Sequence, residues 1–471
     1  MMGLIGLELS DAGIMALRQR PSPLPVDGAS TESPGYALLL KDRLLVGREA
    51  EGKARLYPLQ CNNRFWDQLS TEPLNQPGML AKSHAELAFS HLRRIWRRIQ
   101  SQGDELILAV PGYLQREQLG LIVSMAEELS MPLKGIVGIG LASASSLWPE
   151  SMLLCVDIHL HRAEVTFMEQ GDRITQKESL TAEGKGLAFL HEAWVKVVAD
   201  EFIHATRFDP LHRAESEQAL YDRLPEILEA FSVHSSTTFE MTSGARSYRA
   251  NLTRERFVHK SGEVFWEIRQ LVAAMEQKHG KPGQGVTLLL SHRLSRLPGC
   301  REMLAAVPGV RIGELEPGSA ARGALALAEE FGSKAAKGPV SYLTTRPLRS
   351  ERVFTPVAPG IPRAAGKRPT HILYGDHAYP ISERPLVIGT GEPEDGVSLR
   401  IEGQREGVSR KHCTVQRQGP RVVLTDHSAD GTYVDGVRVS GQHDLQLGQV
   451  VRIGTLGQEL QLIASVEADE T

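Results

Sequence analysis

The sequence predicts two unlike regions, an α/β region over residues 1–332 and an all-β sandwich over 371–466, with a basic linker at 333–370 between them and an acidic end at 467–471. Three observations carry this division. Short apolar runs such as Leu106–Val110, Met152–Asp157 and Val286–Leu290 alternate with amphipathic stretches in the first region, as buried strands between helices do. From Ser333 to Thr370 Pro, Gly, Ala and Thr dominate, and no helical period is visible. Beyond that, β-branched runs recur between turn signals at Gly419-Pro420, Asp430-Gly431 and Asp435-Gly436.

The elements follow in order. Ser83–Gln100 predicts a helix, with Leu87, Leu92, Ile95 and Ile99 on one face and Arg93, Arg94, Arg97 and Arg98 solvated on the other. Gln115–Glu128 predicts a second, and Ala199–Phe231 is helical apart from a break at Asp209-Pro210. The linker carries Lys334, Lys337, Arg346, Arg349, Arg352, Arg363, Lys367 and Arg368 against Glu351, and one strand is expected at Val340–Leu343. Its charges read as a solvated tether, or as a contact for an acidic partner.

Composition narrows the function classes. A chain of 471 residues, 41% hydrophobic and 23% charged, is long enough for more than one core, since domains run to roughly 100–200 residues. A net charge of −4 gives no electrostatic case for nucleic acid or an anionic membrane as partner. No apolar run approaches the ~18 residues that span a bilayer. The opening MMGLIGLELSDAG lacks a basic n-region, so no signal peptide is expected. Cys61, Cys155, Cys300 and Cys413 are widely separated and read as thiols in a reducing compartment, so the expected location is cytoplasmic. Phosphate-loop, nucleophile-elbow and zinc-helix motifs are absent, and no catalytic or metal-ligating set is assigned. His159 and His161 could share a strand face, but two histidines without a third ligand make a poor zinc site.

The order of segments in 1–332 resembles the actin-like ATPase superfamily, most closely the nucleotide-binding domain of DnaK-type heat-shock chaperones. The family's V-G-I-D-L-G-T-T opening stands here as Ile5-Gly6-Leu7-Glu8-Leu9-Ser10-Asp11-Ala12. Its D-L-G-G-G-T-x-D-V hairpin stands as Asp157-Ile158-His159-Leu160-His161-Arg162-Ala163-Glu164-Val165. Its adenosine segment G-G-S-T-R-I-P stands as His292-Arg293-Leu294-Ser295-Arg296-Leu297-Pro298, and its A-x-G-A-A helix as Ala321-Arg322-Gly323-Ala324-Leu325. The runs at 109–131 and 252–257 (LTRERF) are similar as well. The resemblance implies a two-lobed α/β fold around an ATP cleft.

The departures imply a cleft that has lost its nucleotide. Glycines bring backbone N–H groups up to phosphates, and here Ser10, Asp11, His159, Leu160, His161, His292 and Arg293 replace the small residues of the pattern. An acid about 4 Å from a phosphate costs on the order of 4 kcal/mol at an effective dielectric near 20. The stretch Gly138–Ala144 has no acid where the family keeps its catalytic Glu. Asp157 survives, with Glu8 and Glu164 where the family has Asp. These three either retain a Mg²⁺ shell for slow Mg-ATP hydrolysis or are polar remnants at strand ends. The added His and Arg groups either neutralise another anion or are solvated at loop ends.

Residues 371–466 resemble the forkhead-associated (FHA) domain, a sandwich whose loops capture phosphothreonine peptides. The family pattern I-G-R, S-R-x-H, D-x-S-x-N-G-T-x-V-N-G and L-x-x-G-D-x-I-x-I-G appears as Ile388-Gly389-Thr390, Ser409-Arg410-Lys411-His412, Asp426–Gly436 and Leu445–Gly454. The resemblance implies that Ser409 meets the phosphate and His412 braces the loop. The phosphate-pairing Arg is Thr390 here, and the ligand-clasping Asn is Asp430. Losing one charge-assisted contact removes roughly 1.5–3 kcal/mol. Arg410, Lys411 or Arg405 could compensate from the rim. Two readings stay open: weak phosphothreonine binding, or docking of an unphosphorylated protein surface.

The expectation is a non-enzymatic bacterial scaffold or adaptor without cofactor, which binds protein partners through the FHA loops and the actin-like platform. The alternatives are an active Mg-ATPase and a phosphothreonine-dependent adaptor. An oligomer is left open.

Overall fold

The computed structural model describes residues 3–19, 22–40, 43–74, 81, 83–144, 151–244, 246–281, 283–305, 309–332, 340–347, 369–374, 377–391, 398–401, 407–419, 421–428, 431–434, 437–439, 441–446, 449–453 and 458–463. The chain divides into two compact units, Met1–Thr355 and Pro356–Thr471.

The first unit is built on two six-stranded sheets of related design. One runs in the order Ser341–Leu343, Leu133–Gly138, Glu105–Val110, Leu4–Glu8, Ile14–Arg18, Glu32–Ser33. The other runs Val310–Glu314, Gly285–Leu290, Ser151–Ile158, Arg162–Gln170, Arg173–Glu183, Thr345–Pro347. In each, an inner strand (Leu4–Glu8 or Ser151–Ile158) opens an antiparallel hairpin on one side and pairs in parallel on the other. The apolar runs read from the sequence lie on the strands Glu105–Val110, Ser151–Ile158 and Gly285–Leu290, where Leu106, Leu108, Leu154 and Leu288 are fully buried.

Each sheet has its own helical cover. Trp194, Phe202, Phe257 and Phe265 fill the core beside the second sheet, on the helices Leu187–Thr206 and Arg254–His279. Leu87, Leu92, Ile95 and Ile99 cover the first sheet from the helix His84–Ile99, whose cap Ser83 accepts from the Glu86 amide at 3.3 Å. Arg93 and Arg97 on that helix are exposed as expected. Arg94 is not simply solvated, since it pairs with Asp27 at 3.4 Å and Glu49 at 3.1 Å.

Between the sheets the packing is built on small residues. The helix Ser319–Ala326 lies against both the strand Leu4–Glu8 and the short helix Ile139–Ser143. A Cβ at Gly323 would meet the carbonyl of Ala142, and one at Gly6 would meet the carbonyl of Ala321. Only glycine permits that closeness of backbones.

The start of the expected linker is not a solvated tether. The strand expected at Val340–Leu343 forms as Ser341–Leu343 and extends the first sheet beside Leu133–Gly138. After Thr344, Thr345–Pro347 extends the second sheet beside Arg173–Glu183. Arg346 is 4% exposed and donates to the carbonyls of Leu141 at 3.2 Å and Ala142 at 2.9 Å. Those carbonyls end a short helix and lack intrahelical donors, which is why a cation is retained there. The other basic linker residues, and the acidic end, lie outside the described residues.

The second unit contains a β-sandwich. A five-stranded sheet runs Ser398–Arg400, Leu386–Gly389, Cys413–Gln418, Arg421–Asp426, Gln442–Leu445. A six-stranded sheet runs His377–Pro380, His371–Tyr374, Gln458–Ile463, Val450–Ile453, Thr432–Val434, Val437–Arg438. Alternate residues, among them Leu386, Ile388, Val415, Leu424, Val451, Ile453 and Leu460, form the core between them. Among the described residues no helix is long and apolar enough to cross a membrane.

Candidate functional site

Two groups of expected site residues are brought together, one in each unit. In the first unit the hairpin loops after Leu4–Glu8 and Ser151–Ile158 meet across the gap between the sheets. Glu8, Ser10, Asp11, Asp157, His159, His161, Glu164 and His292 are all buried there, between 0% and 8% exposed. The expectation that the added His and Arg groups are solvated does not hold. Each is drawn inward by a hydrogen-bond partner.

Arg293 is the main cation. Its Nη1 donates to Glu8 Oε1 at 2.9 Å, and its Nη2 to Glu32 Oε1 at 3.1 Å and the Gly13 carbonyl at 2.6 Å. His292 reaches the same Glu32 oxygen at 3.2 Å. Burial alone would raise the Glu32 carboxyl, but the His292 hydrogen bond and the Arg293 charge outweigh it and hold it at about 2. Glu32 carries no motif, and nothing local in the sequence ties it to residues some 260 positions away.

His159 is the second cation. Its Nε2 lies 3.1 Å from Glu164 Oε2 and 3.9 Å from Asp157 Oδ2, and its Nδ1 lies 3.2 Å from Ser10 Oγ. Burial disfavours the charged ring, but the charge of Asp157 and the bond to Glu164 prevail and raise it to about 9. At neutral pH the ring is therefore an imidazolium that donates from both nitrogens. Burial works the same way on Asp11, whose carboxyl is raised while its Oδ1 accepts from the Leu160 amide at 2.8 Å. The Asp157 carboxyl is lowered, because His159 and Arg293 overcome its desolvation. His161 points elsewhere, to the Asn63 carbonyl at 2.9 Å, so the two histidines do not converge on a metal. Among the described residues no group of His, Cys, Asp and Glu is arranged to hold one.

The hairpin loop is also closed from behind. The amides of Leu187 and Ala188 donate to the carbonyls of His159 and Leu160 at 2.9 and 2.8 Å. What remains beside Glu8, Asp157 and Glu164 is a cavity of about 30 Å³. A space of that size admits water between the carboxylates. The two carboxylates best placed for a metal, Glu8 and Glu164, already hold Arg293 and His159.

In the second unit the loop 409–412 packs over the end of Leu386–Gly389. A Cβ at Gly389 would meet the carbonyls of Arg410 and Ser409. The Thr390 amide donates to the Ser409 carbonyl at 3.2 Å, and the Gly391 amide to that of Arg410 at 2.9 Å. His412 is fully buried; its Nδ1 accepts from the Ser409 amide at 3.1 Å, and its Nε2 lies 3.3 Å from the Gly431 carbonyl. It braces two loops. Asp426 Oδ1 accepts from Ser428 Oγ and Thr432 Oγ1, each at 2.7 Å. Burial raises its carboxyl, and those bonds together more than reverse this, so that it is lowered. Thr390 and Ser409 are half-buried, and Arg410 and Lys411 are exposed on the same rim. Asp430 and Arg405 lie outside the described residues.

Residues 386–454 match the family model of the FHA domain. No curated protein matches the chain. The sandwich is thus an FHA domain, a protein-binding module, and its loops are the ones just described.

Proposed function

We propose that the chain is a non-enzymatic bacterial scaffold or adaptor. Residues 1–332 form an actin-like, DnaK-type platform without nucleotide, and residues 371–466 dock a protein partner. The repeated sheet design and the close helix packing at Gly323 support the platform reading. One observation carries the loss of nucleotide: Arg293 and His159 neutralise Glu8 and Glu164 from within, beside a cavity of about 30 Å³. Mg-ATP does not fit these residues, because its metal would have to displace a guanidinium and an imidazolium from buried carboxylates.

Docking through Ser409, Arg410 and Lys411 favours a phosphorylated partner, because the two exposed cations make no ion pair among the described residues. A phosphothreonine supplies a near-dianion for them. Thermal unfolding of the full chain with and without Mg-ATP tests the platform reading. A ligand at a hundred times its Kd adds about 2.7 kcal/mol, so a raised melting temperature contradicts the proposal and an unchanged one supports it.

A further inference from the structure

The loop that carries Ser409 and Arg410 has a neighbour that no FHA motif includes. Strand Ser398–Arg400 pairs in parallel with Leu386–Gly389, so that Ile388 lies beside Leu399 and Gly389 beside Arg400. Side chains of registered partners share a face of a sheet. Ile388 and Leu399 are both fully buried, so Arg400 and Gly389 share the opposite face. The backbone of residues 409–410 crosses that face over Gly389. Arg400 therefore flanks the loop directly. It is exposed, and like Arg410 and Lys411 it makes no ion pair among the described residues. Arg421, elsewhere on the same sandwich, pairs with Asp444 at 3.2 Å.

We propose that Arg400 supplies the phosphate-binding cation that position 390 lacks, and forms with Ser409 and Arg410 an anion site for a phosphothreonine side chain. Strands about 4.8 Å apart with a rise of about 3.3 Å per residue put the Cα atoms of Thr390 and Arg400 about 6 Å apart. An arginine side chain covers that distance, and Arg400 stands beside Gly389 on the face that the backbone of residues 409–410 crosses, so its guanidinium is within reach of that loop. The guanidinium fork matches two phosphate oxygens. With Arg400, Arg410 and Lys411 on one rim, the local charge suits a dianion better than the single charge of a carboxylate. The inference rests on the reading of these loops as a site for a phosphorylated partner.

The test uses the full-length protein and fluorescence anisotropy. The probes are two degenerate peptide pools, one with a fixed central phosphothreonine and one with plain threonine at that place. Wild type is expected to prefer the phosphorylated pool at least tenfold. Arg400→Ala should lower affinity for that pool by about ten- to a hundredfold, leave the plain pool unaffected and keep the wild-type melting temperature. Adding Thr390→Arg to Arg400→Ala should restore the preference. If Arg400→Ala keeps wild-type affinity while wild type still prefers phosphopeptide, the assignment of Arg400 is overturned and the phosphothreonine reading stands. If wild type binds both pools equally, both are overturned.

Discussion

In the cleft of the N-terminal unit Arg293 meets Glu8 and Glu32, and His159 meets Glu164. At the rim of the FHA domain Arg400, Arg410 and Lys411 are exposed and meet no carboxylate among the described residues. Both places carry polar side chains on loops at sheet ends, where ligands usually bind. In the first the cations are paired with carboxylates of the protein itself. In the second they are left to solvent. A loop site without internal counter-charges is available to a partner, and one that has acquired them contributes to folding instead.

The comparison is sharpest at Arg293. Arg293→Ala leaves Glu8 and Glu32 without their cation in a buried setting, and should cost about 3–5 kcal/mol, read as a lower urea midpoint. Glu8→Gln in the same chain should recover part of that loss.

Next in size is the pH dependence that His159 imposes. Its folded value is raised to about 9, against about 6.5 in an unfolded chain. The stabilisation is complete below about pH 6.5 and is lost as pH rises towards about 9. Wild-type stability should fall across that window by a few kcal/mol, whereas His159→Gln should be nearly flat there. Asp11, Asp157 and Glu164 face the ring and set its charge.

Gly323→Ala should cost about 1–3 kcal/mol, by forcing the helix Ser319–Ala326 away from Ala142. The smallest effect on stability belongs to the other site. Arg410→Ala should stay within about 0.5 kcal/mol of wild type, yet weaken phosphopeptide binding about tenfold.

Local patterns were readable. The β-branched runs between turns in 371–466, the Ser409–His412 spacing and the helix Ser83–Gln100 all follow from nearest neighbours in the chain. So did the replacement of phosphate-loop glycines by Ser10, His159 and His292. What those bulky residues do instead was not readable, because the Arg293–Glu8 pair joins positions 285 residues apart. Arg346 misled for the same reason: in a Pro- and Gly-rich stretch it reads as solvated, while its carbonyl partners lie 204 and 205 residues earlier. Arg400 was invisible because its significance lies in strand register, which the motif spacing does not contain.

The most direct measurement is titration calorimetry of the full-length chain with Mg-ATP into the low millimolar range. Internal neutralisation of Glu8 and Glu164 predicts only heat of dilution. A saturable isotherm with one site per chain would contradict it, since nucleotide would then be binding where Arg293 and His159 now sit.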